Sequence, residues 1–316
     1  MESLGRTMDE THAMLERNIL EQTVHFDNFF GSPAAVNLRP PGYELRWRNN
    51  LRIDHGSDLT YGTGLRASFT LSKISERLRL VIAREGETDA TRQSLPQDPG
   101  NPGFDRTTPT THFTNTELRY QLIQNPAMNL FLGAGVRVRL PLEAFVRTRF
   151  QYTRHLGNVS LMRFGETFFL NNKSYLGETT EFSLERLYKP GTIIRWTTAG
   201  TASQEIEGLE WGSELAYIRE LSPRSAVTVT AGVYSNTTNS IMNSNCQLRA
   251  LYRQNFLRKW LYYEVEPEIS WQRTDTGDIP ARLAITFRLE IVFQGTAATR
   301  NTTSKLSAQP GTKQLK

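Results

Sequence analysis

No stretch of this chain could cross a membrane as a helix. In 316 residues there is no run of about 18 uncharged apolar residues, and mean hydropathy is −0.47. Cysteine occurs once, at Cys246, which excludes an internal disulfide. No Cys/His group has zinc spacing or the C-x-x-C-H pattern of haem attachment, so neither metal nor other cofactor is expected. Lysine is scarce: of 37 basic residues, 7 are Lys and 30 are Arg, which favours paired guanidinium sites over loosely solubilising charge. The net charge of +5 is not a nucleic-acid footprint, because the arginines stand singly at alternate positions instead of in a run. The opening segment MESLGRTMDETHAMLERN lacks an apolar core and is no secretory signal, so the expectation is a removed signal or a true start upstream.

What the chain has in abundance is alternation. From Tyr43 to Phe293 it reads as successive runs of roughly 10 to 14 residues with a period of two, separated by turn residues. The last run, RLAITFRLEIVF, shows the pattern plainly. Leu283, Ile285, Phe287, Leu289, Ile291 and Phe293 fall on one face, and Arg282, Thr286, Arg288 and Glu290 on the other. The first run sets Tyr43, Leu45, Trp47, Leu51 and Ile53 against Glu44, Arg46, Arg48, Asn50 and Arg52. Fourteen strands are predicted: 43–54, 59–73, 77–86, 111–123, 128–140, 143–155, 158–171, 174–188, 191–203, 208–221, 225–236, 244–255, 260–273 and 281–293. Pro267 removes a ladder donor and predicts a bulge or bend in its strand.

Alternation also fits a soluble sandwich whose apolar face turns inward. Strand length argues for lipid, since soluble strands average about five or six residues and a tilted membrane strand needs about 9 to 11. Aromatics near run ends, among them Tyr43, Tyr61, Tyr120, Trp196, Trp211, Tyr263 and Phe293, suit interfacial girdles. Connections alternate between compact ones (ISER, QNPAM, HLGN, YKPG, LSPR, FLRK) and longer polar ones, the short-periplasmic, long-external asymmetry of bacterial barrels. The fold class expected is therefore all-β, an antiparallel transmembrane β-barrel of about 14 strands with a short N-terminal amphipathic helix. Residues 1–40 form a periplasmic or plug helix segment, with Met14, Leu15, Ile19, Leu20, Val24 and Phe26 apolar. Residues 41–293 form the barrel, and 294–316 a polar tail too poor in apolar residues to fold. Gly86 to Thr110, with its Pro and Gly, is expected to be an external loop or a constriction.

The polar face defines the candidate lumen. Its basic residues are Arg46, Arg48, Arg52, Arg66, Arg77, Arg79, Arg119, Arg137, Arg139, Arg147 and Arg149 in the first half, and Arg249, Arg253 and Arg288 later. Its acidic residues are Glu181, Glu185, Glu210, Glu214, Glu264, Glu266, Glu268 and Glu290. Two arcs of opposite sign are expected to face each other across the interior, setting a transverse field or pairing to close it. Glu166, on the apolar face, is expected near the external rim, where a charge costs least. Catalysis is not expected, because His12, His25, His55, His112 and His155 fall in the helix, turns or strand ends, without a supported nucleophile. The cluster Asp54, His55, Gly56, Ser57 and Asp58 has turn composition.

Several segments carry a resemblance: DNFFG near Asn28, RLRLVIARE from Arg77, GETTEFSLER from Gly177, GLEWG from Gly208, YRQNFLRKWLYYEVEPEISW from Tyr252 and the closing RLAITFRLEIVF. Together they resemble an uncharacterised family of proteobacterial outer-membrane β-barrel proteins over about residues 26 to 293. That implies a bacterial outer-membrane location and brings no assigned substrate. The closing strand also resembles the C-terminal assembly signal of such proteins, carried here by Phe287, Leu289, Ile291 and Phe293, although the chain runs on past Phe293. The partners expected are outer-membrane lipid, the barrel-assembly machinery, and small polar solutes or a periplasmic protein. Two functions remain open: a porin-like channel for small polar or anionic solutes, and a closed structural or scaffolding barrel that binds a periplasmic or extracellular protein.

Overall fold

The computed structural model of the chain describes residues 22, 25, 26, 29, 42–56, 59–71, 74–85, 113–138, 142–172, 175–204, 208–237, 245–272 and 278–295. Alternating side chains make each polar–apolar run a two-faced ribbon, and the compact turns between runs make neighbours antiparallel. The strands are β1 (Tyr43–Asp54), β2 (Leu59–Thr70), β3 (Leu78–Glu85), β4 (Phe113–Gln124), β5 (Met128–Val138), β6 (Glu143–His155) and β7 (Ser160–Asn171). They continue with β8 (Tyr175–Lys189), β9 (Thr192–Ser203), β10 (Glu210–Ser222), β11 (Ser225–Asn236), β12 (Asn245–Asn255), β13 (Leu261–Gln272) and β14 (Ala281–Gly295). Each pairs with its chain neighbours, and β1 pairs with β14 from Tyr43 opposite Gly295 to Asp54 opposite Ala284, which closes the barrel and leaves no edge.

Burial is inverted relative to a soluble domain. Trp47, Leu65, Leu132, Phe168, Leu215, Leu248, Phe287 and Phe293 face outward and are exposed, while Glu117, Arg147, Glu185, Arg253, Glu266 and Glu290 are buried. An apolar exterior around a charged interior is stable only with lipid outside, so the fold is a transmembrane β-barrel. Trp260 stacks on Phe293, and Phe256 and Tyr252 lie against Tyr263, which puts an aromatic girdle on the short-turn end of β12 to β14.

The short connections are shaped locally. In the β4–β5 turn, Asn125 Oδ1 accepts from the backbone N–H groups of Ala127 and Met128 at 3.0 and 2.7 Å. Gly191, in the β8–β9 turn, has φ +73°, a left-handed conformation that a side chain would strain.

Four expectations change. The N-terminal helix is not supported as an element: Gln22, His25, Phe26 and Phe29 are described, and the other residues of that segment lie outside the described residues, as do Arg139, Gly86 to Thr110 and the tail from 296 onward. Arg77 lies in the turn before β3 and is exposed, because the strand begins only at Leu78. Pro267 causes no bulge. The β13–β14 register is continuous through Pro267 opposite Ile285, and the β12–β13 register resumes unshifted after a gap at Ala250 and Leu251, because a missing N–H removes bonding toward one neighbour only. Bulges occur instead at Gln121/Ile123, Leu187/Lys189 and Glu220/Ser222, all toward the short-turn end. Glu166 stands near the middle of β7 rather than at the rim, where Thr180 Oγ1 donates to its Oε2 at 2.9 Å and supplies a partner inside the apolar band.

Candidate functional site: the charged wall of the lumen

The polar faces of the fourteen strands meet in the barrel interior, and their charges form ladders across neighbouring strands. The largest ladder spans the closure. On β12, Arg253 Nη1 contacts Glu264 on β13 and Glu290 on β14. Arg288 Nη1 donates to Glu264 Oε2 at 3.2 Å and Glu266 Oε2 at 3.0 Å. From β1, Arg46 Nη1 reaches Glu290 Oε1 at 3.1 Å, Arg48 Nη2 reaches Glu290 Oε2 at 3.6 Å, and Arg52 Nη2 reaches Glu268 Oε1 at 3.2 Å.

A second ladder crosses β4 to β6. Glu117 accepts from Arg147 Nε and Nη2, both at 2.7 Å, and from Arg119 Nε at 2.9 Å. Gly133 on the intervening strand leaves the room for it, since a Cβ there would lie 2.1 Å from Glu117 Oε1. The Phe131 ring lies under Arg119 and Arg147, at 5.0 and 5.5 Å from their guanidinium carbons. Arg137 pairs with Glu143 at 3.0 Å. Farther round, Arg149 meets Glu181 at 3.5 Å, Arg163 and Arg195 meet Glu185 at 3.4 and 3.1 Å, and Arg249 meets Glu214 at 3.0 Å, with the Tyr234 hydroxyl donating to the same carboxylate.

Arg66, Arg79 and Glu210 share this face by register, with Arg66 opposite Arg46, Arg79 opposite Arg119, and Glu210 opposite Thr201. The assembly-signal residues Phe287, Leu289, Ile291 and Phe293 lie on the outer face, and Phe287 is opposite Leu51 and Val265. The expected division into a cationic first half and an acidic second half, opposed across the lumen, is corrected. Glu117 and Glu143 sit among the early arginines, and charges pair sideways along the wall because each strand's partner is one strand spacing away. The early arginines of β1 meet late carboxylates only because closure makes β1 and β14 neighbours.

Four residues of the wall, Glu117, Glu143, Arg163 and Arg195, are absent from the sequence-based set. Glu117 and Glu143 carried a usable signal, two residues before Arg119 and four before Arg147 on the same face. Arg163 and Arg195 follow from the same parity once Glu185 is placed inside.

Guanidinium and carboxylate do not share the surface of these ladders equally. In Arg48–Glu290 the side chains are 32% and 1% exposed, in Arg119–Glu117 23% and 1%, and in Arg195–Glu185 19% and 0%. A glutamate is shorter than an arginine, so its carboxylate lies close to the wall and the guanidinium covers it. Glu44, Asp54 and Glu181 depart from this arrangement and are more exposed than their arginines, and Arg147, Arg253 and Arg288 are as buried as the carboxylates they meet.

The fold and its charged interior define a class, the transmembrane β-barrel with a polar lumen. No protein-family model and no curated protein matches the chain. Among solved structures, it is similar to OmpT, an outer membrane protein of Vibrio cholerae, with 10% identity, TM-score 0.45, and coverage of 79% of this chain and 96% of that one. It is also similar to the outer membrane channel DcaP of Acinetobacter baumannii, with 8% identity, TM-score 0.46, and coverage of 79% and 96%. A third is OprD of Pseudomonas aeruginosa, with 9% identity, TM-score 0.44, and coverage of 80% and 94%. At these scores the functional reading rests on the chain's own wall.

Proposed function

We propose that this protein is a porin-like channel of a bacterial outer membrane that passes small polar solutes and favours anions. The observation that carries the reading is a set of guanidinium groups, those of Arg48, Arg119 and Arg195, that stand toward the lumen over carboxylates held against the strands. A solute that passes these groups meets hydrogen-bond donors and local positive potential. Outer-membrane lipid covers the apolar band, and the outward Phe287, Leu289, Ile291 and Phe293 are available to the barrel-assembly machinery before closure.

The test is reversal potential across planar bilayers under a salt gradient. The wild type is expected to favour chloride over potassium several-fold, and Arg48→Glu with Arg119→Glu to move the preference toward cations. Identical selectivity in both proteins would overturn the reading.

One observation favours the alternative, a closed structural or scaffolding barrel that grips a protein partner. The carboxylates of Glu117, Glu185, Glu266 and Glu290 are almost fully covered, as in a filled interior. That reading predicts no conductance from correctly folded barrels.

A further inference from the structure

The lumen face of β9 to β11 changes character at the short-turn end. Its inward positions there are Ile193, Ile218 and Ala226, all buried, with Leu187 and Ala216 beside them. Phe26 covers them, at 2% exposure the most deeply buried aromatic among the described residues. Two further contacts hold the same segment. Gln22 Oε1 accepts from the Gly191 backbone N–H at 3.3 Å, and the Phe29 ring meets Tyr262 edge-on at 5.9 Å. The Arg253 guanidinium carbon lies 5.7 Å from the Phe29 ring centre and 4.1 Å from that of Tyr262. His25 lies against both phenylalanines, at 5.9 and 6.3 Å.

The anchors are spread around the rim. Gly191 lies in the β8–β9 turn, the Phe26 pocket spans β9 to β11, and Arg253 and Tyr262 belong to β12 and β13. Apolar side chains facing a polar lumen are favourable only when something apolar covers them, and here the cover comes from the chain itself. We propose that Ile193, Ile218 and Ala226, with Arg253 and Tyr262 alongside, form an aromatic-binding socket at the short-turn mouth, occupied by Phe26 and Phe29 of the same chain. The occupant pins the N-terminal segment against that mouth. The socket stands on its own geometry, and only its consequence for solute flow rests on the channel reading.

The test uses the full chain with Cys246→Ser, so that Ile218→Cys provides the one thiol, and follows its reaction with a water-soluble maleimide. Reaction is expected to be at least tenfold faster when Phe26→Asp is added, with Phe26→Ala as a milder second variant. Retention of fold is checked by the migration of the unheated barrel on gels. Equal rates with and without Phe26 would overturn the socket. Conductance of the same proteins separates the two proposals. Larger steps with Phe26→Asp support both, whereas a protected thiol that becomes reactive in a barrel that never conducts keeps the socket and removes the channel.

Discussion

The wall from β12 through β14 to β1 differs in kind from the wall of β8 to β11. The first is a ladder of buried ions in which Glu290 alone meets Arg46, Arg48 and Arg253. The second carries Ser183, Ala199, Thr230 and Gly232 between fewer charges, with a Thr179–Thr201 hydroxyl pair at 2.8 Å. In β8 to β11 the β8–β9 and β10–β11 hairpins have two-residue turns and β9 is joined to β10 by six residues, so proximity in the chain selects the partner. The closure joins residues as far apart as Arg46 and Glu290, 244 positions away, and nothing local identifies β14 to β1. Charges that match only in one register supply that specification, because a one-residue slip would carry every arginine of β1 to the lipid face. The contrast assigns the ladder to strand choice and the hydroxyl wall to packing.

The largest effect is expected where the ladder is broken at its centre. Arg253→Met takes one arginine from Glu264 and Glu290, which keep Arg288 and Arg46 with Arg48, and should cost about 1.5 to 3 kcal/mol, read as a lowered urea midpoint for the barrel in lipid vesicles. If the closure is indifferent to the ladder, that midpoint stays with the wild type. On the β8–β11 wall, Thr201→Val removes one hydroxyl pair and should cost about 1 kcal/mol in the same measurement. An equal loss in both variants would erase the distinction between the walls. The smallest change expected is a gain. Glu166→Leu exchanges a mid-strand carboxyl on the lipid face for an aliphatic group and should raise stability by about 1 kcal/mol, since acids cost less there than the roughly 2 to 4 kcal/mol of an Arg or Lys.

The strands were legible because their period of two runs unbroken through segments such as RLAITFRLEIVF, and the two-sided contrast fixed which face meets lipid. The ladders were only half legible. Parity places Glu117 beside Arg119 on one face, but that Arg147 reaches it across β5 depends on registers that no single strand encodes. Glu166 was misplaced because the cost of a lipid-facing acid argued for the rim, while Thr180, fourteen residues on, supplies a hydrogen bond at mid-height. The socket was the least legible part. Ile193 and Ile218 are apolar residues at inward positions, a departure from the pattern that only becomes meaningful once Phe26 is seen resting on them.

The unshifted gap beside Pro267 has a mechanical consequence. A closed barrel carries lateral membrane pressure as a hoop carries load, through the joint between each pair of staves. Between Ala250–Leu251 and Glu266–Pro267 two rungs are absent in mid-strand, while the same stretch of β13 remains fully bonded to β14. A parting of β12 from β13 would start there, beside Glu266, leaving β13, β14 and β1 to move as one plank held by Arg288 and Arg52.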